Sequence, residues 1–148
     1  MKELIKKEIV SLLKLFRQKY GNDTLDNVQL NRIGKEYLGK KFVGVFPYDR
    51  YPNKNGFAII NTDNSHQQGT HWMMIYKVNN ILYIYDSFGR RSKHLIKEFF
   101  KNHIDRGYQI IDIDLKSDQG NYQQDCGLRS FITALMINKY GVKEVMDY

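Results

Sequence analysis

The chain opens on an apolar stripe. Ile5, Ile9, Leu12, Leu13, Phe16 and Tyr20 recur at steps of three and four residues, with Lys6, Lys7, Lys14, Arg17 and Lys19 largely on the opposite side. That period lines one face of a helix over residues 3 to 20. Gly21 ends it, because glycine takes up the backbone conformation of a helix stop without a Cβ penalty. A second, shorter helix is predicted from about Leu25 to Tyr37, carrying Val28, Ile33 and Tyr37 inward and closed by Leu38-Gly39-Lys40-Lys41.

From Phe42 the pattern turns to that of strands. Phe42 to Phe46 is a short strand ended by Pro47, and Tyr48 to Asn55 holds the loop formers Asp49, Pro52, Asn53 and Asn55. Gly56 to Asn61 is a second strand, followed by a polar loop from Thr62 to Thr70. His71 to Val78 and Ile81 to Asp86 read as a hairpin about Asn79-Asn80, residues that tolerate positive φ. Lys93 to His103 is an amphipathic helix with Leu95, Ile96, Phe99 and Phe100 on its apolar side, and Tyr108 to Leu115 is a further strand. Gly127 to Tyr140 is apolar almost all round, which marks a buried helix. No repeat and no linker divides the chain. The expected fold is a single α+β domain over residues 1–148, with a mixed, mostly antiparallel central sheet flanked by helices and residues 1–22 as an additional N-terminal amphipathic helix.

Composition narrows the class. With 148 residues, 42% of them hydrophobic and 14% aromatic, the chain can build a real core and is not a disordered tail. No stretch nears the ~20 apolar residues a membrane helix needs, and the N-terminus lacks the apolar run of a signal peptide. The expectation is a soluble protein made inside a cell, not secreted and without a membrane partner. The formal charge of +7 points to weak, salt-sensitive nucleic-acid contact, although a solvated lysine-rich face accounts for it equally well. One cysteine, Cys126, leaves no internal disulfide and no cysteine-based metal cluster. His66, His71, His94 and His103 are not at metal-ligand spacing, so no metal is expected.

Cys126 sits directly before the all-apolar helix, where unpaired N–H groups and the positive end of the helix dipole stabilise a thiolate. A lone cysteine is more often a small buried hydrophobe. Here its surroundings favour chemistry: an amide-rich loop precedes it, and Gly127 after it leaves room for a substrate carbonyl. A thiolate nucleophile needs an imidazole to take and return a proton. His71, at a strand start beside the only tryptophan, Trp72, is the candidate. Asp86, at the end of the partner strand, is the candidate orienter. Antiparallel pairing about Asn79-Asn80 is expected to set it opposite His71, a register that a slip would undo. The oxyanion donors are the Cys126 N–H and a side-chain amide from Gln119, Gln123 or Gln124.

Three strings carry a resemblance: Gly69-Thr70-His71-Trp72, then Tyr83-Ile84-Tyr85-Asp86-Ser87-Phe88-Gly89, then Gln119-Gly120-Asn121 up to Cys126-Gly127. With Phe42-Val43-Gly44-Val45-Phe46, Asp49-Arg50-Tyr51-Pro52 and Ala58 to Thr62 upstream, the chain resembles the adenovirus maturation proteases, the adenain-like cysteine peptidases, over roughly residues 25 to 140. These belong to the superfamily that includes SUMO- and ubiquitin-like-specific proteases. The order His, acid, Gln, Cys is not that of papain, in which Cys comes first. The resemblance implies His71 as general base, Asp86 as orienter where adenain has a glutamate, and Cys126 as nucleophile at the N-terminus of the buried central helix. It also implies Gln119 as the oxyanion glutamine, since it lies seven residues before Cys126; the SUMO-protease spacing would point to Gly120. Trp72 resembles the tryptophan that walls the substrate channel, with Gly69 and Gly127 beside it in substrate binding.

The implied activity is cysteine endopeptidase cleavage of viral capsid or core precursors during virion maturation, after small residues such as Gly or Ala. Viral precursor polypeptides are then the partners, non-specific DNA a further one, and the infected host cell (virus factory or nucleus) and the virion the location. A monomer needing no cofactor, with activation by a viral peptide or DNA left open, completes the expectation. The alternatives are an isopeptidase of the deSUMOylase or deubiquitinase kind and an acetyltransferase of the same fold. Two departures stand out: the chain stops soon after the central helix, where adenain continues, and residues 3 to 20 form a helix that adenain lacks. A disulfide-tethered activator has no second cysteine to use.

Overall fold

The computed structural model describes residues 1–21, 26–61, 72–86, 97–113 and 126–146. Among these residues five α-helices and five strands follow in the order α1 (Lys2–Tyr20), α2 (Asn27–Leu38), β1 (Phe42–Pro47), β2 (Gly56–Asn61), β3 (Trp72–Val78), β4 (Ile81–Tyr85), α3 (Lys97–Asp105), β5 (Gln109–Ile113), α4 (Cys126–Tyr140) and α5 (Val142–Met146). The strands form one sheet in sequence order, β1-β2-β3-β4-β5. The sheet is mixed, as expected: β2–β3 and β3–β4 are antiparallel, while β1–β2 and β4–β5 are parallel, so the two kinds of pair are equal in number among the described residues.

Strand alternation sends side chains into two layers. Phe57, Ile59, Trp72, Met74, Tyr85 and Ile113 face a core shared with α1, α2 and α4. Ala58, Ile60, Met73, Ile75, Leu82 and Ile84 face a second core, closed by Phe99 and Phe100 of α3 and by Tyr51 of the β1–β2 connection. The central helix α4 therefore lies between the sheet and α1, which explains why its sequence is apolar almost all round. Ile5, Ile9, Leu13 and Phe16 of α1 are buried, as the stripe requires.

The second helix corrects the inward set. Leu30, Ile33, Gly34 and Leu38 are buried, whereas Val28 is 60% and Tyr37 38% exposed. The helical period itself turns Val28 outward, since Val28 lies two residues before Leu30 and five before Ile33, while the helix starts at a capping box in which Asp26 accepts from Gln29 N and Gln29 Oε1 accepts from Asp26 N. Gly34 is required by packing, because a Cβ there would overlap the Phe42 ring.

The hairpin corrects the register. Val78 pairs with Ile81, and the ladder runs through Tyr76–Tyr83 to Met74–Tyr85. Only Asn79 and Asn80 lie outside the ladder, with Asn79 at φ 55°, so the turn residues themselves do not pair. Continued by one residue, the ladder sets Asp86 opposite Met73 and not opposite position 71.

Candidate active site

Three chain segments converge at one end of the sheet. The first is the start of β3 at Trp72, the second is the end of β4, where Asp86 follows Tyr85, and the third is the first turn of α4. Antiparallel pairing of β3 with β4 makes a strand start and a strand end neighbours, which brings Asp86 and Trp72 to the same edge. The third segment is fixed to the first by packing. A Cβ on Gly127 would lie 3.2 Å from Trp72 Cδ1 and 3.1 Å from Leu30 Cδ1, tighter than an ordinary van der Waals contact, so the helix start packs closely on both β3 and α2. Ser130, one turn further along α4, donates from Oγ to the Trp72 carbonyl at 3.4 Å.

Asp86 is 5% exposed, an unusual degree of burial for a carboxylate. Trp72 is buried within the core shared with α4. Cys126 is the first residue of α4, the place where a helix leaves N–H groups unpaired and carries about half a positive charge. Gly127 is buried and is used for close packing of the helix start. His71, Gln119 and Gly69 lie outside the described residues, so the structure brings together Asp86, Trp72 and Gly127 with the backbone of Cys126.

Two residues with a part in this arrangement escaped the sequence reading. Leu30 forms the far wall against Gly127, and its signal was the Leu30, Ile33, Gly34 spacing in α2. Ser130 ties α4 to β3, and its signal was a small hydroxyl four residues after Cys126 in a mostly apolar helix. His103 has a different place altogether. It is buried between α3 and the β1–β2 connection, with Nδ1 2.7 Å from the Phe99 carbonyl oxygen and Nε2 2.6 Å from Asn53 Oδ1. Among the described residues no three His, Cys, Asp or Glu side chains are grouped to hold a metal ion, and no helix is long and apolar enough to cross a membrane.

A family sequence model described as adenovirus endoprotease matches residues 37–147, from the last turn of α2 to beyond α5. The chain therefore belongs to the adenovirus endoprotease family, and its class is that of a viral endopeptidase, a hydrolase of peptide bonds. The helix α1 and most of α2 precede the matched segment. No curated protein matches the chain.

Proposed function

We propose that the chain is a cysteine endopeptidase of virion maturation. Cys126 attacks the peptide carbonyl, His71 takes the thiol proton and returns it to the leaving amine, and Asp86 holds the imidazole. Gln119 and the Cys126 N–H receive the charge that develops on the carbonyl oxygen. Water then hydrolyses the thioester, with His71 acting as base a second time. The substrates are viral capsid or core precursors cut after Gly or Ala, in the infected cell and the virion.

One observation carries this reading: Gly127 packs against Trp72, and each is the covalent neighbour of a proposed catalytic residue, Cys126 and His71. The first turn of the nucleophile helix and the strand start bearing the base thus share a contact.

The test is incubation of the purified chain with capsid and core precursors, with and without DNA, followed by sequencing of the new termini. New termini after small residues, absent with Cys126→Ala, support the proposal. Cleavage that survives Cys126→Ala contradicts the mechanism. Turnover confined to ubiquitin-like Gly-Gly substrates, or acetyl transfer from acetyl-CoA, contradicts the assignment of substrate or reaction.

A further inference from the structure

Two polar side chains are buried beside Trp72, at the end of the sheet where α4 begins: Ser130 is 0% and Asn61 4% exposed. Asn61 closes β2 opposite Trp72 in the β2–β3 ladder, so the two side chains stand on one face of the sheet, about 5 Å apart at Cβ. Ser130 reaches the same residue from the helix, donating from Oγ to the Trp72 carbonyl at 3.4 Å.

A hydroxyl is unfavourable in an apolar core unless it is hydrogen-bonded, and the direction of that bond decides what it holds. Thr133, three residues further along α4 and 2% exposed, gives its proton to the Arg129 carbonyl at 2.8 Å. That bond stays within the helix, a usual outlet for a buried serine or threonine, and ties α4 to nothing else. The Ser130 bond leaves the helix and ends on the main chain of β3.

Ser130 acts together with Gly127. Positions 127 and 130 are three residues apart and so share one face of α4. The place of a Cβ on Gly127 is 3.2 Å from Trp72 Cδ1, while the Ser130 hydroxyl holds the Trp72 carbonyl. A single contact would leave the helix start free to pivot on β3. Two contacts one turn apart, one on the ring and one on the main chain of the same residue, fix both its height and its rotation. The residue so held is the covalent neighbour of position 71, and the helix so held begins at Cys126.

We infer that Ser130 is a positioning residue for the thiol–imidazole pair, its hydrogen bond to the Trp72 carbonyl setting the spacing between the first turn of α4 and the start of β3. This role presupposes Cys126 as nucleophile and His71 as base. Ser130 works through the Trp72 backbone and not on the reacting atoms. Small displacements suffice, because a misplacement of about 1 Å costs on the order of a hundredfold in rate.

The experiment measures the pH dependence of iodoacetamide alkylation at Cys126, and the kinetics on a precursor-derived peptide, for the full chain as wild type, Ser130→Ala, Thr133→Val and His71→Ala. Thr133→Val removes a comparably buried hydroxyl whose bond stays inside α4, so it carries the purely structural effect, and urea unfolding verifies that each variant is folded. Ser130→Ala is expected to move the alkylation midpoint about one pH unit toward the ordinary thiol value and to lower kcat about tenfold with KM little changed. Thr133→Val is expected to leave both at wild-type values. A folded Ser130→Ala protein with the wild-type midpoint, or with the wild-type kcat, overturns the positioning role and leaves the pairing of Cys126 with His71 standing. Equal changes in Thr133→Val overturn it too, since they mark a general loosening of α4. One ordinary thiol titration shared by the wild type and His71→Ala removes the pairing itself, and the role of Ser130 with it.

Discussion

Gly127 and Trp72 are in direct packing contact, with the place of a Cβ on Gly127 3.2 Å from Trp72 Cδ1 and 3.1 Å from Leu30 Cδ1. A methyl group added there must push either side chain aside, and overpacking of this kind costs about 1–3 kcal/mol. Gly127→Ala is expected to lower stability by that amount and to reduce cleavage further, because the helix start carrying Cys126 is displaced. Leu30→Ala opens the space on one side. Urea unfolding of both single variants and the double variant is expected to show a double loss smaller than the sum. Strict additivity would mean that the contact does not exist in solution.

Asp86→Asn keeps the size of a buried side chain and removes its charge. With Asp86 as orienter, kcat is expected to fall by roughly a hundred- to ten-thousandfold, with KM little changed. Steady-state kinetics on a precursor-derived peptide measures this. Unfolding by urea close to that of the wild type shows that the loss is chemical.

Phe16 joins α1 to α4. Its ring meets the Phe131 ring edge-on at 5.7 Å and is fully buried. Phe16→Ala is expected to cost about 3–5 kcal/mol. Glu8, which accepts from Lys139 at 2.7 Å and from the Tyr140 hydroxyl, joins the same two helices at the surface. Because that pair is solvent-exposed, Glu8→Gln is expected to change stability far less than Phe16→Ala. Denaturant titration of the two variants decides the ranking.

Acid weakens the fold through two groups in separate windows. Burial holds the His103 imidazole below its ordinary value of 6.5, so the unfolded chain binds a proton there before the folded one does. That contribution is complete above 6.5 and is lost as the pH falls below it, down to the depressed folded value. Nδ1 donates to the Phe99 carbonyl oxygen at 2.7 Å, while Nε2 lies 2.6 Å from Asn53 Oδ1. The hydrogen bond from Lys139 holds Glu8 below its ordinary value of 4.5, so its contribution is lost only in the more acid range. Urea midpoints measured across pH are expected to decline below 6.5 in the wild type, with that step absent in His103→Gln.

Much of this architecture was legible in the sequence, for local reasons. The Ile5 to Phe16 stripe, the strand from Gly56 to Asn61 and the apolar run after Cys126 each bury one periodic face or the whole of an element, so period alone identifies them. The parallel pairing of β1 with β2 was not legible, because only eight residues, Tyr48 to Asn55, connect them and nothing local distinguishes that return from a hairpin. The inward face of α2 follows the spacing of Leu30, Ile33, Gly34 and Leu38, and Val28 falls off that face at the helical period although it is the most hydrophobic residue of the first turn. Within the candidate site the residue types were readable. The contact of Gly127 with Leu30 was not, since it joins residues nearly a hundred positions apart.

The lone cysteine makes the central chemistry measurable, since any alkylation of the chain at a thiol reports on Cys126. The most direct test is the pH dependence of iodoacetamide alkylation for the wild type and for His71→Ala. A thiolate held beside an imidazolium is expected to give a rate already high and level well below the ordinary thiol value of about 8.5, and His71→Ala is expected to return it to that ordinary titration. One titration near 8.5, identical in both proteins, would contradict the pairing of Cys126 with His71.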